Sequence, residues 1–149
     1  MTALTANTYH ILKNKGGMTR ISGTVLTAAV CYHHALLSLT AAGKVEAGST
    51  STTATFFGLC DIKNPTSATA GITGDGTLTV EAINNVDVVL VCVTAITAGD
   101  VGLAAFISDD NLVATTTLGP ECGIITEFLA TNSVVVRLGA KGPLLKVKA

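Results

Sequence analysis

The first residues that could carry out chemistry are the adjacent histidines of the segment Cys31-Tyr32-His33-His34. Histidine and cysteine are common ligands of zinc and other transition metals, but a site needs three or four of them converging on one point. Adjacent residues on a strand point to opposite faces of the sheet, and His10 is the only other histidine in the chain. We therefore expect no metal site here, and a capping or interface role for His33 and His34.

The four cysteines, Cys31, Cys60, Cys92 and Cys122, are also unlike a metal or redox site. None belongs to a Cys-x-x-Cys pair, which excludes zinc-ribbon and thioredoxin-type motifs. Cys60 and Cys92 lie inside apolar segments. Because unpaired cysteine is among the most frequently buried residue types, we expect four small buried thiols.

Two further segments match functional motifs only in part. Asp109-Asp110 could bind calcium or act as an acid–base pair, but Asp-Asp-Asn between two apolar segments is typical of a hairpin turn. The segment 71–76 is rich in glycine, yet it lacks the Lys-Ser/Thr ending and the following helix of a phosphate-binding loop. The chain also has no Gly-x-Ser-x-Gly nucleophile motif. The sequence therefore predicts no enzyme and no cofactor.

The composition predicts a globular protein with unusually few surface charges. The 149 residues suit one domain, 48% are apolar, and only 13% are charged, against about 25% in a typical soluble domain. Threonine is abundant; it supplies uncharged polarity and favours strands. A net charge of −1 offers no general attraction to nucleic acid or to an acidic membrane. The segment 1–20 lacks the apolar stretch of a secretory signal, so we expect synthesis in the cytoplasm.

Short apolar segments separated by turn residues predict an all-β fold, a compact β-barrel or β-sandwich of short antiparallel strands. The predicted strands are Ser22–Val30, Ala35–Leu39, Lys44–Glu46, Thr55–Asp61, Thr77–Ala82, Asp87–Thr94, Leu103–Ser108, Leu112–Thr117, Cys122–Leu129 and Ser133–Leu138. Two stretches follow a similar plan, with a hairpin, a Thr-rich connection and a strand carrying Gly-Leu or Gly-Ile. They predict two similar β units, and chance similarity between low-complexity segments is the alternative.

The order of the charges divides the chain into three parts. Residues 1–45 carry four basic residues and no acid, residues 46–127 carry all ten acids and one lysine, and residues 128–149 carry four basic residues. We interpret 1–20 as an extended N-terminal arm, 21–139 as the β body, and 140–149 as a C-terminal arm or edge strand. The alternative is that the chain ends meet the body and form an ordinary mixed-charge surface.

On the first interpretation, basic and apolar residues of the two arms contact neighbouring molecules. These candidate contacts are Lys13, Lys15, Arg20, Lys141, Leu144, Leu145, Lys146, Val147 and Lys148.

The segment from Ile96 to Asp110, with its Thr-x-x-Asp-Val-Gly turn and its apolar strand ending in Ser-Asp-Asp, resembles the decoration, or structural cement, proteins of tailed-phage heads. The Thr-rich strand after it and the segment Gly119-Pro120-Glu121-Cys122-Gly123-Ile124-Ile125 continue this resemblance, which covers roughly residues 22–138. It implies a non-enzymatic β-barrel or β-sandwich on the outer surface of the virion capsid. Such a protein bridges neighbouring major capsid protein subunits and acts as a homo-dimer or homo-trimer.

Two other functions compete with this expectation. A head-fibre or receptor-binding module of the virion would favour exposed aromatic residues for glycans, and only 4% of the chain is aromatic. A small hydrolase or lyase would need a convergent polar cluster, and none is evident in the sequence. Among partners we therefore expect the major capsid protein and further copies of this chain, but neither nucleic acid nor a membrane.

Overall fold

The computed structural model describes residues 4–63, 70–116 and 119–140, and the predicted all-β fold is confirmed. Helical residues within these ranges are confined to two short 3-10 helices, Lys15–Gly17 and Ala98–Asp100. The strands are β1 (Leu12–Lys13), β2 (Thr19–Thr24), β3 (Val30–Cys31), β4 (Leu36–Leu39), β5 (Val45–Ala47), β6 (Thr55–Cys60), β7 (Ile72–Thr73), β8 (Thr79–Asn84), β9 (Asp87–Cys92), β10 (Ala104–Asp109), β11 (Leu112–Ala114), β12 (Glu121–Ala130) and β13 (Ser133–Leu138).

Five strands of the second half close into a barrel. They follow one another in the order β9, β11, β10, β12 and β13, and β13 pairs back onto β9. These pairings are antiparallel except the one between β9 and β11, which is parallel through Val91 and Cys92 of β9. Closure gives each of these strands a partner on both sides, so their backbone groups are hydrogen-bonded around the ring.

The first half repeats this arrangement. Its strands follow the order β2, β8, β6, β4 and β5, and a parallel bridge between Val45 of β5 and Val25, just after β2, closes the ring. The Leu26 N–H donates to the Val45 carbonyl across this closure (2.8 Å). The strands β2, β4, β5, β6 and β8 therefore correspond in order to β9, β10, β11, β12 and β13. We call the two halves barrel 1 and barrel 2, and they agree with the two similar β units predicted from the sequence.

Backbone irregularities also fall at matching positions of the two barrels. Gly58 of β6 and Gly123 of β12 each lie beside a register shift in the pairing with β4 and β10, respectively. Asn85 directly follows β8 and Gly139 directly follows β13, and both have a positive φ, 56° and 78°. Chance similarity between two Thr- and Gly-rich segments would not place a bulge and a left-handed turn at the same points of one strand order.

A shared apolar core joins the barrels. Its larger cluster fills barrel 2 and also contains Leu36, Leu59 and Ile83 of barrel 1, which lie side by side across β4, β6 and β8. The neighbouring Leu37 and Cys60 belong to a second cluster inside barrel 1. Most of β4 and the end of β6 are therefore buried on both faces, which explains why these parts of the sequence are mostly apolar without alternation.

One predicted strand is broken in the structure. The segment predicted as Ser22–Val30 forms β2 only as far as Thr24, and Val30 begins the separate strand β3, which pairs with β7. The break occurs just after Val25, which donates its N–H to the Leu78 carbonyl next to β8 (2.9 Å) and bridges Val45 of β5 to close barrel 1. Ala28, with φ 68°, then turns the chain.

The N-terminal segment lies against the body rather than extending from it, over the residues that the structure describes. β1 pairs with the start of β9, Leu4 packs against the core of barrel 1, and Leu12 packs against the larger cluster. Thr19 and Arg20 already belong to β2. The segment 141–149, most of the predicted C-terminal arm, lies outside the described residues. Contacts of either segment with other molecules stay predictions.

Candidate functional site

The two adjacent histidines stack on each other instead of pointing to opposite faces. β3 ends at Cys31, and His33 and His34 lie in the turn that follows it. Their ring centroids are 4.1 Å apart with an angle of 22° between the planes, and both residues are buried. The expectation of opposite faces assumed a strand, and it is wrong because His34 has a left-handed backbone (φ 60°) that turns its side chain back beside His33.

The N-terminal segment brings the third histidine to this pair. The His10 ring stacks on the His34 ring at 6.1 Å with an angle of 3°. The His10 backbone N–H donates to His34 Nδ1 (2.8 Å). The Thr8 N–H donates to the His33 carbonyl (3.1 Å), and the His33 N–H donates to Asn7 Oδ1 (2.8 Å). We call His10, His33 and His34 the histidine cluster.

Burial lowers the pKa of all three members of the cluster. For His34, burial together with repulsion by His33 and His10 lowers the pKa to about 4. Asp61 acts in the opposite direction, since its Oδ1 lies 3.9 Å from His33 Nδ1. His33 Nδ1 also accepts the Ile62 N–H (2.9 Å). Two Nδ1 lone pairs of the cluster are therefore bonded to backbone donors and point away from any shared ligand.

The Asp109-Asp110 segment forms the turn of the hairpin between β10 and β11, as predicted. Asp110 is buried, and its Oδ1 accepts the backbone N–H of Leu4 (2.9 Å). Burial, with the nearby Asp109 adding to it, raises the pKa of Asp110 to about 6. The carboxyl group thus anchors the start of the described chain to barrel 2.

The glycine-rich segment 71–76 connects strands, as predicted. It contains β7, and the Asp75 carboxylate that follows accepts hydrogen bonds from the backbone N–H groups of Thr77 and Leu78. These bonds close a local turn. The backbone N–H groups that would bind a phosphate in a phosphate-binding loop here bind the carboxylate of Asp75 instead.

All four cysteines are unpaired and buried, which confirms the prediction from the sequence. Burial raises the pKa of the Cys31 thiol to about 11 and also raises the pKa of Cys60 and Cys122. The thiolate is the reactive form of cysteine, so these side chains act as small apolar core residues.

Three of the nine predicted contact residues lie in the described part of the chain. Lys13 Nζ lies 3.5 Å from Glu127, and the Arg20 guanidinium binds two carboxylates, one of them that of Asp61. Lys15 is exposed in the first 3-10 helix. Basic residues of the N-terminal part thus pair with acids of the middle part, as the mixed-charge alternative expects. The other six, Lys141, Leu144, Leu145, Lys146, Val147 and Lys148, lie outside the described residues.

The outer surface of barrel 2 carries an exposed apolar area. Along β9, Val88, Leu90 and Cys92 point into the core, and the alternate residues point outward. We define the valine face by five residues: Val89 and Val91 of β9, Val93 just after it, Ile11, whose carbonyl accepts the Val89 N–H (3.0 Å), and Leu129 of β12, on the far side of β13. Their exposed fractions reach 65% for Ile11 and 42% for Val91.

A groove of about 410 Å³ lies where the two barrels meet. Matching elements of both barrels line it: the starts of β6 and β12, and the turns after β8 and β13. Its lining includes Phe56, Phe57, Asn84, Glu121 and Gly139. The Asn84 amide donates to the Phe57 carbonyl (2.8 Å) and ties the turn to the strand.

Comparisons with known proteins do not assign a family. No protein-family model matches the sequence, and no curated protein is significantly similar to it. Within residues 4–63, 70–116 and 119–140, no three histidine, cysteine or acidic side chains are arranged to hold a metal ion. No helix in this described part is long and apolar enough to cross a membrane.

Sequence reasoning missed both the histidine cluster and the valine face. His10 lies far from His33 in the chain, and no sequence pattern links the two. The valine face was hidden because Val89 and Val91 are as apolar as their inward neighbours Val88 and Leu90. A strand made of valine and leucine has the expected period of two in burial but not in polarity.

Proposed function

We propose that this protein is a structural virion protein that decorates the outside of an assembled capsid and bridges neighbouring major capsid protein subunits. The valine face carries this proposal. Apolar side chains that are exposed on the same side of a protein are characteristic of interaction sites. The low charge of the chain and the sequence resemblance to phage cement proteins support the same role.

The proposed mechanism is thermodynamic linkage. A protein that binds only the assembled, expanded shell stabilises that state by mass action, and many weak contacts on a fixed lattice add through multivalency. The two barrels would give each copy two similar bodies with which to span adjacent subunits. No catalytic step, metal or cofactor forms part of this proposal.

The test is co-sedimentation of the purified chain with expanded empty capsids, followed by heating of the complexes. We expect the chain to pellet with expanded shells and to raise the temperature at which they rupture. The proposal is overturned if the chain neither binds these shells nor changes their stability.

A pair of matched variants tests the surface. Val91→Asp places a charge on the valine face of barrel 2, and Leu78→Asp places the same charge on barrel 1 at a residue of similar exposure, 47% against 42%. We expect V91D to weaken capsid binding at least about tenfold, which corresponds to about 1.4 kcal/mol, and L78D to bind like the wild type. Equal binding by both variants would show that the valine face is not the docking surface.

Truncation tests the predicted arms. Removing residues 143–149 leaves every described strand in place and is expected to weaken capsid binding. Removing residues 1–20 is unsuitable, because it also deletes β1 and the start of β2. The triple variant Lys141→Gln, Lys146→Gln and Lys148→Gln separates the charge of the C-terminal segment from its length.

A further inference from the structure

One of the contacts that hold the N-terminal segment on the body depends on the protonation of a histidine, His34. Residues 4–13 are attached through His34 Nδ1, the backbone of His33, Asp110 and the pairing of β1 with β9. Tyr9 of this segment remains 70% exposed while its ring lies 5.0 Å from the His33 ring. The histidine contacts lie in the middle of the attachment.

The hydrogen bonds fix the protonation state that the attachment requires. A neutral imidazole accepts at one nitrogen and donates at the other, whereas an imidazolium only donates. His34 Nδ1 accepts from the His10 N–H, and His33 Nδ1 accepts from the Ile62 N–H. A proton on either Nδ1 would place a donor against a donor and break that bond.

The surroundings of His34 also disfavour its charged form. The His33 ring stacks on it at 4.1 Å and the His10 ring at 6.1 Å, so any second proton in the cluster meets a like charge at short range. His10 Nε2 is buried without a hydrogen-bond partner in the described part of the chain.

The other titratable groups around the cluster have smaller or opposing effects. Asp61 is the acidic group that favours a charged His33, but its carboxylate is also bound by Arg20. The His34 N–H donates to the carbonyl of Cys60, whose thiol stays protonated because burial raises its pKa. Asp110 lies outside the cluster but also holds the segment at Leu4, and burial raises its pKa to about 6. It titrates in the same pH range as the proposed latch, so its effect has to be separated from that of His34 by substitution.

We propose that His33 and His34 form an acid-sensitive latch, which holds residues 4–13 on the body while both imidazoles are neutral and releases them when His34 is protonated. Release uncovers the edge of β9 at Asp87 and Val88 and frees a segment that carries Tyr9 and Ile11. This property belongs to the chain itself and does not depend on the proposed capsid function.

Proton linkage gives the direction and size of the effect. The pKa of His34 is lowered in the docked state, so docking is fully favoured above pH 6.5 and loses this advantage as the pH falls towards 4. If release restored the ordinary pKa of 6.5 from about 4, His34 would lower the docking equilibrium constant about 30-fold between pH 8 and pH 5. His33 and the body stay beside His34 after release, so this value is the upper limit of its contribution.

The test is hydrogen exchange by mass spectrometry on the full chain at pH 8 and pH 5, with exchange times scaled for the intrinsic pH dependence. We expect the protection of peptide 4–13 to fall by up to about 30-fold, while peptide 133–138 in β13 keeps its protection. Unchanged protection of 4–13, or equal loss in both peptides, overturns the proposal.

Two variants identify the responsible group. His34→Asn keeps an acceptor, Oδ1, at the position of Nδ1, does not titrate, and suits the left-handed backbone at this residue; it should hold the segment equally at both pH values. Asp110→Asn keeps an acceptor for Leu4 and should release the segment as the wild type does. The latch is contradicted if residues 4–13 of H34N are released at pH 5, or if residues 4–13 of D110N are no longer released at pH 5.

If H34N does not fold, the wild type still provides a test by NMR. The titration of the His34 ring must then have the same midpoint as the loss of protection in residues 4–13. A different midpoint contradicts the latch.

Discussion

Gly123 offers a direct test of how the second barrel is closed. It lies in β12 opposite Leu138 of β13, at the position that matches Gly58 in barrel 1. A Cβ atom added to Gly123 would overlap the carbonyl oxygen of Arg137 and lie 2.9 Å from Val136 Cγ1. Since the overlapping atom belongs to the backbone of a paired strand, it cannot rotate away, and β13 must move.

The expected cost of Gly123→Ala follows from this overlap. Overpacking a well-filled site costs about 1–3 kcal/mol, occasionally more, and we expect a value near the upper end because a backbone atom is displaced. In a domain of this size, a loss of about 3 kcal/mol lowers Tm by roughly 6–12 °C. Gly58→Ala should have a similar effect, since its φ is +156° and a Cβ would lie 2.8 Å from that of Ala82.

The assay is thermal and urea unfolding followed by circular dichroism, with Gly17→Ala as the control. Gly17 has no heavy atom within 4 Å of an added Cβ, so this change should be neutral or stabilise by about 0.4–1 kcal/mol through the unfolded state. The reasoning is refuted if the unfolding free energies of G123A and G17A agree within about 0.5 kcal/mol, the usual range of surface substitutions.

Two further predictions concern buried groups. The Asp87 carboxylate accepts hydrogen bonds from Arg137 Nε (2.8 Å) and from the Asn14 amide (2.6 Å). The variant D87N should therefore be less stable than the wild type by about 1–3 kcal/mol. Lys13→Gln should cost under about 0.5 kcal/mol, because the pair of Lys13 with Glu127 is exposed. Since Arg137 lowers the pKa of Asp87, this contribution is present above pH 3.8 and is lost in more acidic solution, so the wild type and D87N should converge there in urea titrations. The four thiols should react with Ellman's reagent only after unfolding, and fast labelling of the native chain would contradict the buried core positions of the cysteines.

Several elements of the fold could be predicted because their causes are local. Asp109-Asp110-Asn111 forms a turn wherever two apolar strands flank it, and β13 was predicted with its observed bounds, Ser133–Leu138. The prediction of one continuous strand over Ser22–Val30 was wrong, because the strand ends where Val25 bridges Val45, a residue well beyond it in the chain. β1 and β7 were missed because strands as short as these have no pattern of their own.

The candidate site depended still more on long-range contacts. The sequence predicted an interface or capping role for His33 and His34 but placed them on opposite faces. Their stacking requires the left-handed backbone of His34 and the return of the N-terminal segment with His10. The valine face was unpredictable for another reason, since inward and outward residues of β9 have the same chemistry and only packing distinguishes them.

By itself, the sequence determined the all-β class, most of the strands and the burial of the four thiols, and it left the repeat of two similar units open against chance similarity. These properties follow from β-branched and apolar segments separated by turn residues, which act over a few neighbouring positions. The tertiary structure alone decided the closure of each barrel through a parallel pairing, the assembly of the histidine cluster and the exposure of the valine face. Each of these joins residues far apart in the chain, and their contacts are fixed by burial and hydrogen bonding in the folded state rather than by local preference.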